Sequence, residues 1–186
     1  SPVELLEALI KRAEEVEPVI NAFTYRHFDE AMDKARKAEA KYTSGKRTRA
    51  LEGLPIGIKD ENFIAGKPTS SGSLIMKDFV ADKTSVGNER ILRAGGIVHA
   101  RTATPEFSSA GYTNSRLWGV TRNPWNPEFT PGGSSGGTAA SLAAGTSAIA
   151  TGSDIGGSIR IPAGTCGLVG YKPPYGRNSD DPPFNL

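Results

Sequence analysis

The sequence is poor in the residue types on which several common chemistries depend. It has one cysteine, Cys166, and two histidines, His27 and His99, among 186 residues. A lone cysteine cannot pair within the chain, so no disulfide framework is expected, and a reducing, cytoplasmic setting fits better than a secreted one. No Cys/His/carboxylate cluster has metal-ligand spacing, so neither a metal nor another cofactor is expected. His27 falls in a charged N-terminal helix and His99 inside a strand. Neither neighbours a glycine-flanked serine, which argues against a Ser-His-Asp triad. His99 reads as a satisfied strand residue, and Cys166 as a small core residue rather than a nucleophile. No apolar run approaches the length of a membrane span, and the N-terminus lacks a charged-then-apolar signal pattern. An excess of one charge is also missing: 22 Lys+Arg stand against 20 Asp+Glu, a net +2. That balance argues against nucleic-acid and membrane-surface partners. A chain of this length buries roughly 70% of its unfolded surface as a single domain.

What charge there is lies unevenly. Residues 1–50 hold 19 of the 42 charged residues, whereas residues 131–170 hold only Asp154 and Arg160 yet 11 of the 22 glycines. The first stretch reads as solvated helical faces. In the second, two isolated charges must be paired or used, because burying an unpaired charge is expensive.

Ser1-Pro2-Val3-Glu4 reads as a capping box opening a helix. Leu5, Leu6, Leu9, Ala13 and Val16 continue at helical spacing, and Pro18 is expected to end the run. A second helix is expected over 27–42. Residues 1–45 are thus packing helices, and 50–177 form the segment that carries the chemistry. There, 54–59 reads as a strand, 85–94 as a helix and 97–101 as a strand. Residues 106–130 are loop-rich, 136–144 a small-residue helix and 146–153 another strand. Strands alternating with helices predict an α/β layered domain with a parallel or mixed sheet. The tail over 178–186 reads as loop.

Two glycine-rich segments are specific enough to carry chemistry. Pro131-Gly132-Gly133-Ser134-Ser135-Gly136-Gly137 opens a helix, where backbone N–H groups could cradle an anion. It lacks the Gly-Lys-Ser/Thr ending of a nucleotide loop, so pattern alone leaves a phosphate cradle and a structural turn both open. In Gly152-Ser153-Asp154-Ile155-Gly156-Gly157-Ser158-Ile159-Arg160 a serine follows two glycines, and such a turn can aim several backbone donors at one oxygen. With histidine excluded, the candidate base for that serine is a lysine that has lost its proton. Lys59 fits, because it ends an apolar strand where desolvation disfavours its charge. Bringing a lysine into the neutral range takes on the order of 4 kcal/mol, within the reach of burial.

These segments, with Gly53-Leu54-Pro55-Ile56-Gly57-Ile58-Lys59-Asp60 upstream, Thr104-Pro105-Glu106-Phe107, Asn123-Pro124-Trp125 and Gly167-Leu168-Val169-Gly170-Tyr171-Lys172-Pro173, closely resemble the amidase signature family over nearly the whole chain. The resemblance implies that family's fold, a mixed β-sheet core covered by α-helices on both faces, with 1–186 the N-terminal part of one such domain. It also implies a Ser-Ser-Lys triad of Ser158 as nucleophile, Ser134 as bridging serine and Lys59 as base, with the Gly133–Ser134 peptide bond cis. Backbone N–H groups of Ile155, Gly156, Gly157 and Ser158 would form the oxyanion hole. Ser135, Asp154 and Arg160 would support the network structurally.

The sequence departs from the family pattern in places. Ser153 stands where the family usually has Thr, and Pro174 where Thr is usual. Family chains are commonly more than twice this length, so a second chain supplying the C-terminal part of the fold is expected, with the break after Gly176-Arg177. The expected activity is hydrolysis of a small carboxamide through a serine acyl-enzyme. The alternatives are the glutaminase subunit of a tRNA-dependent amidotransferase and, from another class, a non-catalytic anion-binding module. Ala103-Thr104-Pro105-Glu106-Phe107 favours the free-standing amidase, since the amidotransferase subunit typically has Asn-Met-Asp-Glu-Phe there. A small amide is the expected partner, and a homo-oligomer is left open.

Overall fold

Ser1 caps the first helix, α1 (Pro2–Ile20): its Oγ accepts from the Glu4 N–H at 3.3 Å, while the Glu4 carboxylate accepts from the Ser1 ammonium at 2.6 Å. The computed structural model describes residues 1–179, and the end of the tail expected as loop lies outside the described residues. Pro18, expected to end α1, lies inside it. A proline so near the C-terminus forfeits only the bond to the Glu14 carbonyl. The last turn is kept by burying Ile20 and by Asn21, which closes it in the left-handed conformation with its N–H on Glu17 O at 3.0 Å.

Residues 1–45 are not helical throughout. A strand, β1 (Phe23–Arg26), separates α1 from α2 (Phe28–Thr43). Four residues between two strong helical patterns are too few to show period-2 alternation, although Phe-Thr-Tyr is typical strand composition. The buried Glu17 carboxylate receives the Ala22 and Phe23 N–H groups at 3.1 and 2.9 Å, which fixes the entry into β1.

The expected elements β2 (Pro55–Lys59), α3 (Val86–Arg93), β3 (Ile97–Thr102) and α4 (Gly136–Ala143) all form. Between β3 and α4 lies a small hairpin, β4 (Asn114–Ser115) with β5 (Gly119–Val120). The strand expected over 146–153 shrinks to β6 (Ile149–Ala150), because the Thr146 N–H and hydroxyl both turn back to Ser141 O, at 2.8 and 3.1 Å. A final helix, α5 (Arg160–Cys166), contains Pro162 and Gly164, which hide it from pattern reading.

The main sheet has the order β1-β3-β2-β6, with β1 antiparallel to β3 and the other pairs parallel. Helices cover both faces. Ile97 packs with Leu6, Ala31 and Ala35 of α1 and α2. The next residue, Val98, packs with Ile56, Ile58 and, from α3, Ile91 and Leu92. Successive strand residues point to opposite faces, so the two clusters lie on the two sides of the sheet. A third cluster joins Ala13 and Ile20 to Phe23, Ala100 and Ala140. Among the described residues no helix is long and apolar enough to cross a membrane.

The N-terminus of α4 presses on the end of β3. A Cβ at Gly137 would lie 2.3 Å from Ala103 N and 2.6 Å from Ala103 O, and backbone cannot yield to it as a flexible side chain would. Gly137→Ala in the full-length protein is therefore expected to destabilise the fold by about 1–3 kcal/mol through overpacking. A thermal melt matching the parent's would show that α4 does not sit this close.

Candidate active site

Lys59 is the last residue of β2, a strand flanked on both sides by parallel neighbours. The carboxyl ends of such strands are where open α/β sheets place their ligands. Its side chain is wholly buried. Nζ donates to Ser134 Oγ at 2.7 Å and to Ser153 Oγ at 2.8 Å, and lies 3.2 Å from Glu61 Oε2. Burial pushes the Lys59 ammonium below the ordinary lysine range, while the Glu61 and Asp154 carboxylates pull it back up. The main chain is held on both sides, with Lys59 N–H on Thr151 Oγ1 at 3.2 Å and Lys59 O accepting from Arg101 at 3.3 Å.

The loop before α4 brings Ser134 over the end of β2. The Gly133–Ser134 peptide bond is cis, as the family resemblance implies, and Ser134 is 1% exposed. Ser135 ties this loop to the second glycine-rich segment: its N–H donates to Ser158 O at 3.2 Å and its hydroxyl to Ser153 O at 3.4 Å. Ser158 thus sits beside the Lys59–Ser134 pair through backbone contacts, and is half-buried. Among the described residues no hydrogen bond joins Ser158 Oγ to Ser134 Oγ.

Asp154 folds the segment over 154–160 around its own carboxylate. Its oxygens receive the N–H groups of Gly157 (2.7 Å), Ile159 (3.2 Å) and Arg160 (3.2 Å), and the Arg160 guanidinium at 2.9 and 2.8 Å. The Arg160 hydrogen bonds, ahead of the backbone donors, hold the Asp154 carboxyl well below the usual carboxylate range. The two isolated charges of the glycine-rich region are therefore each other's partners. The Gly157 N–H already has an acceptor in Asp154, which leaves the N–H groups of Ile155, Gly156 and Ser158 as those of the four expected donors with none among the described residues.

Four of the six N–H groups of the Pro131–Gly137 loop are engaged inside the fold, which argues for the structural-turn reading over a phosphate cradle. Gly132 donates to Thr130 Oγ1 (3.1 Å), Ser135 to Ser158 O (3.2 Å), Gly136 to Thr113 Oγ1 (3.1 Å) and Gly137 to Ala103 O (3.1 Å). Donors spent inside the fold are not aimed at an anion. Cys166 is buried, its thiol pushed up to about 11 by desolvation, which suits a packed residue and not a nucleophile. His99 is buried with Nε2 at 3.0 Å from Thr146 O and 3.2 Å from Ser147 Oγ, though Nδ1 has no partner among the described residues.

Sequence reasoning misses four polar groups at the site. Ser153 stands out in the sequence only as a departure from the family pattern, yet its hydroxyl touches Nζ. Glu61 lies in the turn just past β2, its N–H on Lys59 O at 2.8 Å, and no periodicity in the sequence marks it. Asp60 and Arg101 form a second buried pair at 3.6 Å, in which desolvation raises the Asp60 carboxyl to about 6 against the pull of Arg101. Nothing in the local sequence of Arg101 marks it as buried.

The family model described as Amidase matches residues 4–184. A glutamyl-tRNA(Gln) amidotransferase subunit from Synechococcus sp. (strain CC9605) is 43% identical over 176 residues, which is 95% of this chain and 36% of that protein. A solved structure of an amidase superposes with a TM-score of 0.88 at 34% identity, covering 96% of this chain and 41% of that one. A bacterial aryl acylamidase of the amidase signature enzymes superposes with a TM-score of 0.82 at 36% identity, covering 88% of this chain and 34% of the other. The chain thus spans little more than a third of the length of these relatives. A family match over nearly every residue, joined to the mixed sheet and its loops, establishes that the chain belongs to the amidase signature family.

Proposed function

We propose that this chain carries the catalytic machinery of an amidase that hydrolyses a small carboxamide through an acyl-enzyme on Ser158. The observation that carries the reading is a wholly buried lysine whose Nζ lies 2.7 Å from Ser134 Oγ. In the neutral form of Lys59, the Nζ lone pair accepts the Ser134 hydroxyl proton as Ser134 accepts that of Ser158. The Ser158 oxygen then bonds to the amide carbon, and the carbonyl electron pair moves onto oxygen. The N–H groups of Ile155, Gly156 and Ser158 stabilise that oxyanion, with Gly157 held by Asp154 as the turn that aims them. Ser134 returns its proton to the departing nitrogen, the C–N bond breaks, and water repeats the relay to release the acid. Ser135, Asp154 and Arg160 hold the two loops in register.

The same proposal places the rest of the fold and much of the substrate pocket outside these 186 residues. Its support is the length of the relatives and the 80% exposure of Ile155, an apolar residue within the glycine-rich segment that carries Ser158. A cytoplasmic enzyme is proposed, since a free thiol such as Cys166 persists there. The second reading, glutaminase subunit of an amidotransferase, is favoured by the 43% identity to such a subunit. The Thr104-Pro105-Glu106-Phe107 segment favours the free-standing amidase.

A serine-directed fluorophosphonate is expected to add to Ser158 of the full-length enzyme, read by peptide mass, and to leave Ser158→Ala unlabelled. Equal labelling of the two proteins would sink the nucleophile assignment. Across a panel of aryl, alkyl and amino-acid amides, turnover of simple carboxamides is expected to exceed that of glutamine. Turnover of glutamine alone would decide for the amidotransferase reading.

A further inference from the structure

Lys59 Nζ has three polar neighbours, and they are not equivalent. Ser134 and Ser153 are hydroxyls that can donate or accept, at 2.7 and 2.8 Å. Glu61, at 3.2 Å, presents a carboxylate, which only accepts. A neutral amine has two N–H bonds and one lone pair. Nζ is hydrogen-bonded to the two hydroxyls and ion-paired with Glu61; a neutral amine that turns one N–H toward the carboxylate and the other toward Ser153 keeps its lone pair for Ser134.

Glu61 is itself held in place by a dedicated chain of contacts. It is 2% exposed, and Ser108 Oγ donates to its Oε2, the oxygen that faces Lys59. Ser108 Oγ is in turn 2.9 Å from Thr104 Oγ1. To reach Glu61, the turn over 106–108 puts two successive non-glycine residues, Phe107 (φ 49°) and Ser108 (φ 57°), in the left-handed region that L side chains rarely adopt. Such a conformation persists where surrounding contacts over-determine it, and it clusters at functional sites. Oε1 of Glu61 has no partner among the described residues, so the carboxylate is anchored through the one oxygen that meets the lysine.

We propose that Glu61, anchored by Ser108, is a positioning residue of the relay: it takes one N–H of Lys59 and thereby directs the nitrogen lone pair at Ser134. The inference rests on the Ser158–Ser134–Lys59 reading above. A carboxylate in this place also favours the ammonium form of Lys59, so it sets the pH at which the base becomes available. The other charged groups around the pair are Arg101 from β3, bonded to Lys59 O and Asn62 O; Asp60, beside Arg101; and Asp154, bound by Arg160. Glu106, on the same turn as Ser108, is engaged by Ser73 Oγ at 2.7 Å. Helix α4 brings no charged side chain to the site. Of these charged groups, Glu61 is the one that touches Nζ.

The test is the rate of Ser158 labelling by fluorophosphonate as a function of pH, in the full-length enzyme and its Glu61→Gln and Ser108→Ala variants. In the parent the rate rises with pH as Lys59 loses its proton. Glu61→Gln removes the charge that favours the ammonium, so the midpoint is expected to move to lower pH by about one unit or more. Ser108→Ala removes the contact that holds Oε2 against Lys59, which frees the carboxylate to move off Nζ, and is expected to move the midpoint the same way by less. If Glu61→Gln does not fold, Ser108→Ala decides. Midpoints that coincide with the parent's, with only the plateau rate reduced, would reduce Glu61 to packing and overturn the inference. Absence of pH-dependent labelling at Ser158 in the parent would overturn the relay itself, and with it the part assigned to Glu61.

Discussion

The arrangement depends on a lysine that has been taken out of water. An ammonium wholly buried in a protein loses its hydration, and the fold must either pair it or let it give up its proton. Lys59 is offered two hydroxyls and one carboxylate, enough to satisfy the nitrogen in either form. The architecture explains how such burial is reached. Lys59 ends a strand with parallel neighbours on both sides, helices cover the two faces, and the loops after β6 and before α4 close over the strand end. Each partner of Nζ comes from a different loop, so the contact at 2.7 Å between Lys59 and Ser134 exists only when the sheet and both loops are assembled together.

The electrostatics around this point are local. Asp154 is neutralised by Arg160 and by three backbone donors, and Asp60 faces Arg101. Both pairs shape the backbone: one curls the segment over 154–160, and the other holds the carbonyls of Lys59 and Asn62. The balance at Nζ lies between desolvation, which favours the neutral amine, and Glu61, aided at longer range by Asp154, which favours the ammonium. On the proposed reading this balance sets the pH range in which the relay runs.

Much of this was legible in the sequence, and the misses have physical causes. The second glycine-rich segment pointed to Ser158 because few backbone geometries need glycines so densely, whereas Ser134 was legible only through the family resemblance. Lys59 was legible because it ends an apolar strand, where desolvation disfavours the charged form of a lysine. The isolation of Asp154 and Arg160 among uncharged neighbours showed that each must be paired or used, though not that they meet each other. The strand β1 was hidden by its shortness, and α5 by its proline and glycine. Glu61, Ser108 and Arg101 were invisible for another reason: their roles come from which loop lies over which strand, a tertiary fact that composition and periodicity do not encode. The anion-cradle reading of the loop before α4 was weakened likewise, since only the fold reveals that four of its six N–H groups are already engaged.

The central claim is that Lys59 and Ser134 act as one proton-carrying unit, and a double-mutant cycle on the rate of Ser158 acylation tests it most directly. Lys59→Ala and Ser134→Ala should each slow acylation by about 10²–10⁴-fold, and the double variant should be no slower than the worse single one, because a relay broken at one link is not broken again at the next. Losses that multiply in the double variant would contradict the account, since they would mean that the two residues contribute independently.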